Sequence, residues 1–453
     1  MIQKERVKLL NSKDMKKGRY VLYWMQASQR TEYNHALEYA ISRANDLHQP
    51  VVVFFGITNH FPEANERHYG FMLEGMREVQ RSLKSRGIRM VIQHRSPEIG
   101  VVQLAKRASL VVVDRGYLRI QRQWRTYVAD RIDCSLIQVE SDVVVPVEEA
   151  SPKEEYAAAT IRPKISKKLD RFLVSLKEIG PVVCSLSLDF ESFDLTDLEK
   201  AISKLRIDRS VKRVNSLHGG TAEAKKHLRD FISNKLDHYA ELRNDPTLDY
   251  QSLMSPYLHF GQISPLEITL EISKTRSRSK EAYLEELIVR RELSMNFVFY
   301  NEKYDSFDSI PQWARKTLKA HQKDRRDYLY RLEEFEQGKT HDLYWNAAQK
   351  EMVVTGKMHG YMRMYWGKKI LEWSKTPQEA FETALYLNNK YELDGRNPNG
   401  FTGVAWCFGK HDRPWGERAI FGNVRYMNEG GLKRKFDAEK YVEKIRRLER
   451  KDT

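Results

Sequence analysis

Residues 19–146 repeat one alternation: a short run of apolar, largely β-branched residues, then an amphipathic stretch. RYVLYWM, PVVVFFGI, IRMVIQH, LVVVDRG and SLIQVESDVVVP read as buried strands. Between the first three, NHALEYAISRANDL and RHYGFMLEGMREVQRSLKSRG carry their apolar residues at helical spacing. Strand and helix in turn predict parallel βαβ units, hence an α/β, doubly wound, Rossmann-like domain over residues 19–150. No GxGxxG follows the first strand; residues 22–30 read LYWMQASQR, so a dinucleotide held in the usual Rossmann manner is not expected there. The strand pattern stops near residue 150, and 151–217 reads as a linker with scattered Pro, Ser and Lys. Beyond His218-Gly219-Gly220, segments such as TAEAKKHLRDFISNKLDHYAELRN and SKEAYLEELIVRRELSMNFVFY predict a larger, all-α domain over 218–453.

Charge adds a partner to this picture. Lysine and arginine number 77 against 62 acids, a formal net charge of +15, which suits a polyanion and makes nucleic acid the first candidate. The three cysteines, Cys134, Cys184 and Cys407, are far apart and outside any CxxC spacing, which argues against a disulfide framework or a metal site and for a reducing cytoplasm. No apolar run approaches the ~18 residues of a membrane span, and the N-terminus lacks a signal-peptide core.

Three constellations carry candidate chemistry. Six of the eight tryptophans fall in the helical domain, and Trp366 and Trp373 in YWGKKILEW lie two turns along one helix face, roughly 10 Å apart in rise. That spacing suits a relay of oxidisable rings and a core stripe equally. In YAELRNDPTLDYQSLMSPYLHFGQIS, one helix is expected to end near Arg243-Asn244-Asp245-Pro246 and another to begin after Ser252. Ser252 and Ser255 there are either N-capping residues or a phosphate cradle. Arg363 and Asp394 are placed to form a buried ion pair or to lie on the surface. Finally, the stretch from Lys410 to Arg425 mixes Arg413, Arg418 and Arg425 with Trp415, a basic aromatic loop able to hold phosphates and stack on bases.

From about residue 19 to 445 the chain resembles the photolyase/cryptochrome superfamily, and closely its class II cyclobutane pyrimidine dimer photolyases. The segments that carry the resemblance are EYAAATIRPK, LRNDP…SPYLHFGQIS, EELIVRRELSMNF, GKTHDLYWNAAQKEMVVTGKMHGYMRMYWGKKILEW, YELDGRNPNG and HDRPWGER…RYM…KRKFD. It implies a helical domain that holds FAD in a U shape, active as the reduced, anionic hydroquinone. Tyr239, Arg243, Ser252, Leu253, Met254 and Ser255 would contact FAD. Arg363 and Asp394 would form the ion pair beside its ring, next to Gly395, with Asn388 facing flavin N5. Glu286 would hydrogen-bond the lesion, Asn244 would lie close to it, Met364 and Trp406 would wall it, and Arg413 and Arg425 would hold DNA. Trp366, Trp345 and Trp373 would form an electron relay in that order, with Trp373 at the surface and Tyr330 placed to extend it.

The resemblance thus implies light-driven splitting of cyclobutane pyrimidine dimers in DNA by a monomeric enzyme. A cryptochrome-like photoreceptor without repair activity, a non-catalytic DNA-binding module and a (6-4) photolyase are the alternatives, the last lacking placeable lesion histidines. A second, light-harvesting chromophore, a deazaflavin or a folate, is left open. DGR around Asp394 favours class II over the DGD of class I, and Met295 departs from the acidic residue expected before Asn-Phe.

Overall fold

In the computed structural model, which describes residues 2–452, five parallel strands are hydrogen-bonded in an order set by two crossovers. The strands are β1 (Val7–Leu9), β2 (Tyr20–Trp24), β3 (Val51–Gly56), β4 (Arg89–Gln93), β5 (Ala108–Asp114) and β6 (Ser135–Val139), in sheet order β1-β6-β5-β2-β3-β4. Only β1 runs antiparallel, against β6. Strands β2 to β6 coincide with the five apolar runs, and β2, β3 and β5 are buried along their whole length, as strands covered on both faces must be. Helices α1 (His35–Asp46) and α2 (Glu66–Ser85) follow β2 and β3, while α3 (Pro97–Ala105) and α4 (Arg119–Arg131) follow β4 and β5. The architecture is the expected doubly wound sheet followed by a large helical remainder.

Two details depart from the pattern. The three-residue edge strand β1 lies upstream of residue 19 and has no apolar alternation to announce it. The run SLIQVESDVVVP yields a strand only to Val139; Val143, Val144 and Val145 are buried in a loop. Their backbone is satisfied by side chains instead of a neighbouring strand. Glu292 Oε1 accepts from Val144 N at 2.6 Å, and Arg6 donates to the carbonyls of Glu140, Val143 and Val144.

The stretch 151–217 holds the short helices Ala158–Ser166, Leu169–Phe172 and Leu198–Ser203. Leu195, Leu198 and Ile202 pack against the sheet, whereas Ile161, Ile165 and Phe172 join a cluster with Leu228 and Tyr283 of the helical domain. The two domains also meet at Gly261, whose φ of +67° and close approach to the Ala27 carbonyl leave no room for a side chain. Arg30, fully buried beside it, donates to the Gly261 and Ser141 carbonyls. Among the described residues, no helix is long and apolar enough to cross a membrane.

Candidate active site

The helices around the main cavity start where the sequence supplies caps. Asp342 accepts from the N–H groups of Tyr344 and Trp345 and starts Leu343–Thr355, which Gly356 ends in the left-handed conformation. His359 accepts from Tyr361 N at the start of Gly360–Trp373, and Asn397 from Gly400 N at the start of Pro398–Cys407. Both of these helices direct their N-terminal residues, Gly360 and Tyr361 in one and Pro398 and Asn399 in the other, at a cavity of about 480 Å³. Their positive ends therefore face the same space.

Tyr239, Arg243, Asn244, Ser252, Leu253, Met254, Ser255, Glu286, Arg363 and Asp394 all line this cavity. Ser252 does not cap a helix, however: its Oγ accepts from Met254 N, and the following helix begins at Ser255 with Met254 as N-cap. Between them Leu253 adopts φ +57°, a left-handed conformation that costs a leucine of order 1–3 kcal/mol and persists where the surroundings impose it, commonly at ligand sites. Glu286 sits in a π-helical turn, Glu285–Arg290, which re-aims side chains relative to the helix that follows. It pairs with Arg243 at 2.7 Å. Met295, the departure from the expected acid, is buried on the same wall.

The ion pair proves to be a cluster. Arg363 Nη2 lies 3.0 Å from Glu392 Oε1 and 3.9 Å from Asp394 Oδ1, so its nearest acid is Glu392, a residue the sequence did not single out. Lys357 Nζ stands 3.8 Å from Asp394 and also hydrogen-bonds Ser255 Oγ. Burial alone would raise the Asp394 carboxyl; Lys357 and Arg363 more than offset it and hold the group well below its usual range. Burial pushes Glu392 up to about 8 despite Arg363. Around the cavity several buried atoms have no hydrogen-bond partner: Arg363 Nε, Arg291 Nε, Asp142 Oδ1 and His259 Nδ1. Burial, then Arg396, lowers His259 to about 3, so its ring is neutral.

Lys357, Gln251, Asn397, Asn399, Arg291 and Asp142 complete the polar lining and were missed, because each lies outside the motifs or was not singled out within them. Conversely, Asn388 and Gly395 are not on the wall. Asn388 is buried with its amide against Asn389 and beside Gly400. Gly395 is required by packing, since a Cβ there would lie 2.7 Å from the Asn388 carbonyl. Met364 and Trp406 are half-buried outside the lining, Trp406 beneath the Arg290 guanidinium.

The tryptophans form one contiguous file. Trp366 and Trp345 stack at 6.4 Å between centroids and 6° between planes, Trp345 and Trp373 meet at 6.1 Å, and Trp373 meets Tyr330 at 5.7 Å. Indole N–H groups fix the rings: Trp366 donates to Gln349 Oε1 and Trp345 to the Trp366 carbonyl. Trp373 is not at the surface as expected; it is 3 % exposed because Tyr330 and His341, from a distant segment, lie over it. On another face, Arg413 and Arg425 flank the exposed Trp415 ring at 5.5 and 5.0 Å.

A second cavity, of about 140 Å³, opens beyond the C-terminal ends of β2, β3 and β5, where the strand order reverses. Phe61, Tyr69, Tyr117 and Trp124 give it aromatic walls. Gln26 presents both amide atoms, and Gln29 its Oε1, without a partner. Asp142, His259, Asn397 and Pro398 line both cavities.

A sheet domain and a helical domain joined in this way are shared with photolyases and cryptochromes. A class III photolyase from Agrobacterium tumefaciens superposes with a TM-score of 0.71 at 18% identity, covering 96% of this chain and 87% of that one. A Synechocystis cryptochrome gives 0.70 at 15% identity, covering 93% and 87%. The DNA photolyase family model matches residues 21–182. In sequence, the chain is 52% identical over 452 residues to the deoxyribodipyrimidine photo-lyase of Methanothermobacter thermautotrophicus, covering 99% of each. It is 41% identical to that of Potorous tridactylus, covering 98% of this chain and 84% of the other. The chain belongs to the DNA photolyase family, a family of lyases.

Proposed function

We propose that this chain repairs DNA by the light-driven splitting of cyclobutane pyrimidine dimers, that it is of class II, and that the 480 Å³ cavity holds FAD. The observation that carries the reading is the composition of that cavity: two helix N-termini, cations at Arg243, Lys357 and Arg363, and unpartnered buried donors and acceptors. Such a set fits a ligand with phosphates, hydroxyls and a polar-edged ring, since buried polar groups otherwise find partners. When bound and reduced, FAD supplies the electron that, on blue-light excitation, opens the cyclobutane ring and is then returned, so no net oxidation occurs.

The residues of this chain do the rest. Tyr239, Ser252, Met254 and Ser255 would hold the cofactor, and the positive surroundings of Arg363 and Lys357 favour its anionic reduced form. Glu286, at the mouth beside Arg243 and 38 % exposed, is free to reach a flipped-out lesion. Arg413 and Arg425 contact phosphates and Trp415 offers a stacking face, so binding tracks the backbone and not the flanking sequence. The tryptophan file passes electrons inward from Tyr330 to restore reduced cofactor after accidental oxidation, an external reductant refilling the outer end. The cavity beyond the sheet would hold the light-harvesting chromophore.

The test is illumination of the reduced, purified protein with blue light on an oligonucleotide bearing one thymine dimer. Light-dependent recovery of ultraviolet absorbance is expected. FAD-loaded protein that yields none is a photoreceptor and not a repair enzyme.

A further inference from the structure

Glu392 is the most deeply buried acid near the cavity, with 1 % of its side chain exposed. Oε1 accepts from Met358 N at 2.9 Å and from Arg363 at 3.0 Å, while Oε2 is buried without a partner. The Asp394 side chain, two residues on, meets the same guanidinium, with Oδ1 3.9 Å from Arg363 Nη2. Two carboxyls that draw on one guanidinium in a dry interior do not both stay bare, because like charges at short range repel strongly where solvent does not screen them.

We infer that Glu392 keeps its proton, carried on the otherwise unpartnered Oε2, beside an ionised Asp394, so that Arg363, Lys357, Asp394 and Glu392 together carry one net positive charge beside the cavity. Glu392 is thus a positioning residue, acting through the charge of the cluster. Which anion profits rests on the proposed function; the proton on Glu392 does not. An anionic reduced flavin fits the cluster with Glu392 protonated and loses the excess positive charge once Glu392 ionises.

Neighbours on every side are consistent with this. Arg363 approaches from Gly360–Trp373 and Lys357 from the turn before it. From α2, His68 Nε2 contacts the Glu392 carbonyl and is kept neutral by burial and by Arg396. Arg67 and Arg396 are occupied with backbone carbonyls, at Tyr391 and Asn389 respectively. His259, close to Asp394 and Arg396, is neutral as well. Burial dominates at Glu392, which titrates at about 8, whereas Lys357 and Arg363 keep Asp394 ionised.

The sign follows. As pH rises through about 8, Glu392 ionises, the net positive charge disappears, and the anionic reduced state loses stabilisation. The experiment uses the flavin-loaded protein as wild type, Glu392→Gln and Asp394→Asn. Infrared spectra of the wild type near neutral pH should show a protonated-carboxyl C=O band that Glu392→Gln removes, that Asp394→Asn shifts, and that titrates away toward about pH 9. Across the same range the wild-type flavin potential should fall, beyond the dependence seen in Glu392→Gln, by about tenfold in the reduced-to-oxidised ratio. A band that survives Glu392→Gln unchanged, or equal pH profiles for wild type and Glu392→Gln, overturns the inference. Failure of dimer repair would overturn the proposed function and leave the infrared result standing.

Discussion

The two cavities share a wall yet differ in chemistry. The one within the helical domain is lined by Arg243, Arg291, Lys357 and Arg363 opposite Glu286, Asp394 and Asp142. The one beyond the sheet has aromatic walls, Gln26 with both amide atoms unpartnered, Gln29 with an unpartnered Oε1, and, besides the shared Asp142, one charged group, the buried Arg396. A ligand that changes charge during a reaction needs compensating charges fixed in place beforehand. A ligand that only absorbs light needs a shaped slot and a few directional hydrogen bonds. The difference accords with the proposed function, which puts electron transfer in the first cavity and light capture in the second.

The contrast breaks most readily at Arg363. Replacing it with alanine leaves Glu392 and Asp394 buried without their shared cation, which should cost about 3–5 kcal/mol and most of the bound flavin. Urea unfolding and the flavin-to-protein absorbance ratio would show this, and a variant of unchanged stability would mean the charge is not needed there. Next in size, Glu286→Ala should lower repair yield about tenfold or more, the worth of a charge-assisted hydrogen bond, while flavin stays bound. Repair per absorbed photon against flavin content separates the two effects. Trp373→Phe should slow photoreduction of oxidised flavin and spare repair by prereduced protein, because the file is cut at the ring joining Trp345 to Tyr330; transient absorption would detect it. The smallest effect on repair is expected from Gln26→Leu, which replaces an unpartnered amide in the sheet cavity. Any second absorption band should weaken while repair driven by light absorbed by the flavin itself holds; a loss of repair there would erase the distinction between the cavities.

The sequence displayed the sheet more fully than the site. Strands β2, β3 and β5 are buried from end to end and β4 and β6 keep apolar centres, so each announces itself locally. β1 has three residues of mixed polarity and takes its structure from β6. Val143 to Val145 look like a strand, but Arg6 and Glu292, distant in sequence, claim their backbone groups. In the helical domain the motifs singled out Arg363 and Asp394 but not Glu392, although it stands in the same YELDGR, because nothing local shows that Met358 and Arg363 converge on its carboxyl. Trp373 was expected at the surface since helix periodicity contains no information on Tyr330 and His341, which arrive from another segment. The order Trp366, Trp345, Trp373 is matched by the ring contacts, with the middle ring supplied by a different helix.

The lock at Val143 to Val145 also has a consequence for synthesis. Arg6 leaves the ribosome well ahead of the loop it grips, which follows about 140 residues later, but Glu292 emerges only after as much chain again. Until then the N–H groups of Val144 and Val145 have only water as acceptor, and the loop after β6 stays open for a neighbouring nascent chain to engage. A pause in translation placed before residue 292 should therefore lower soluble yield more than one placed shortly after it, even though neither alters a single contact of the finished molecule.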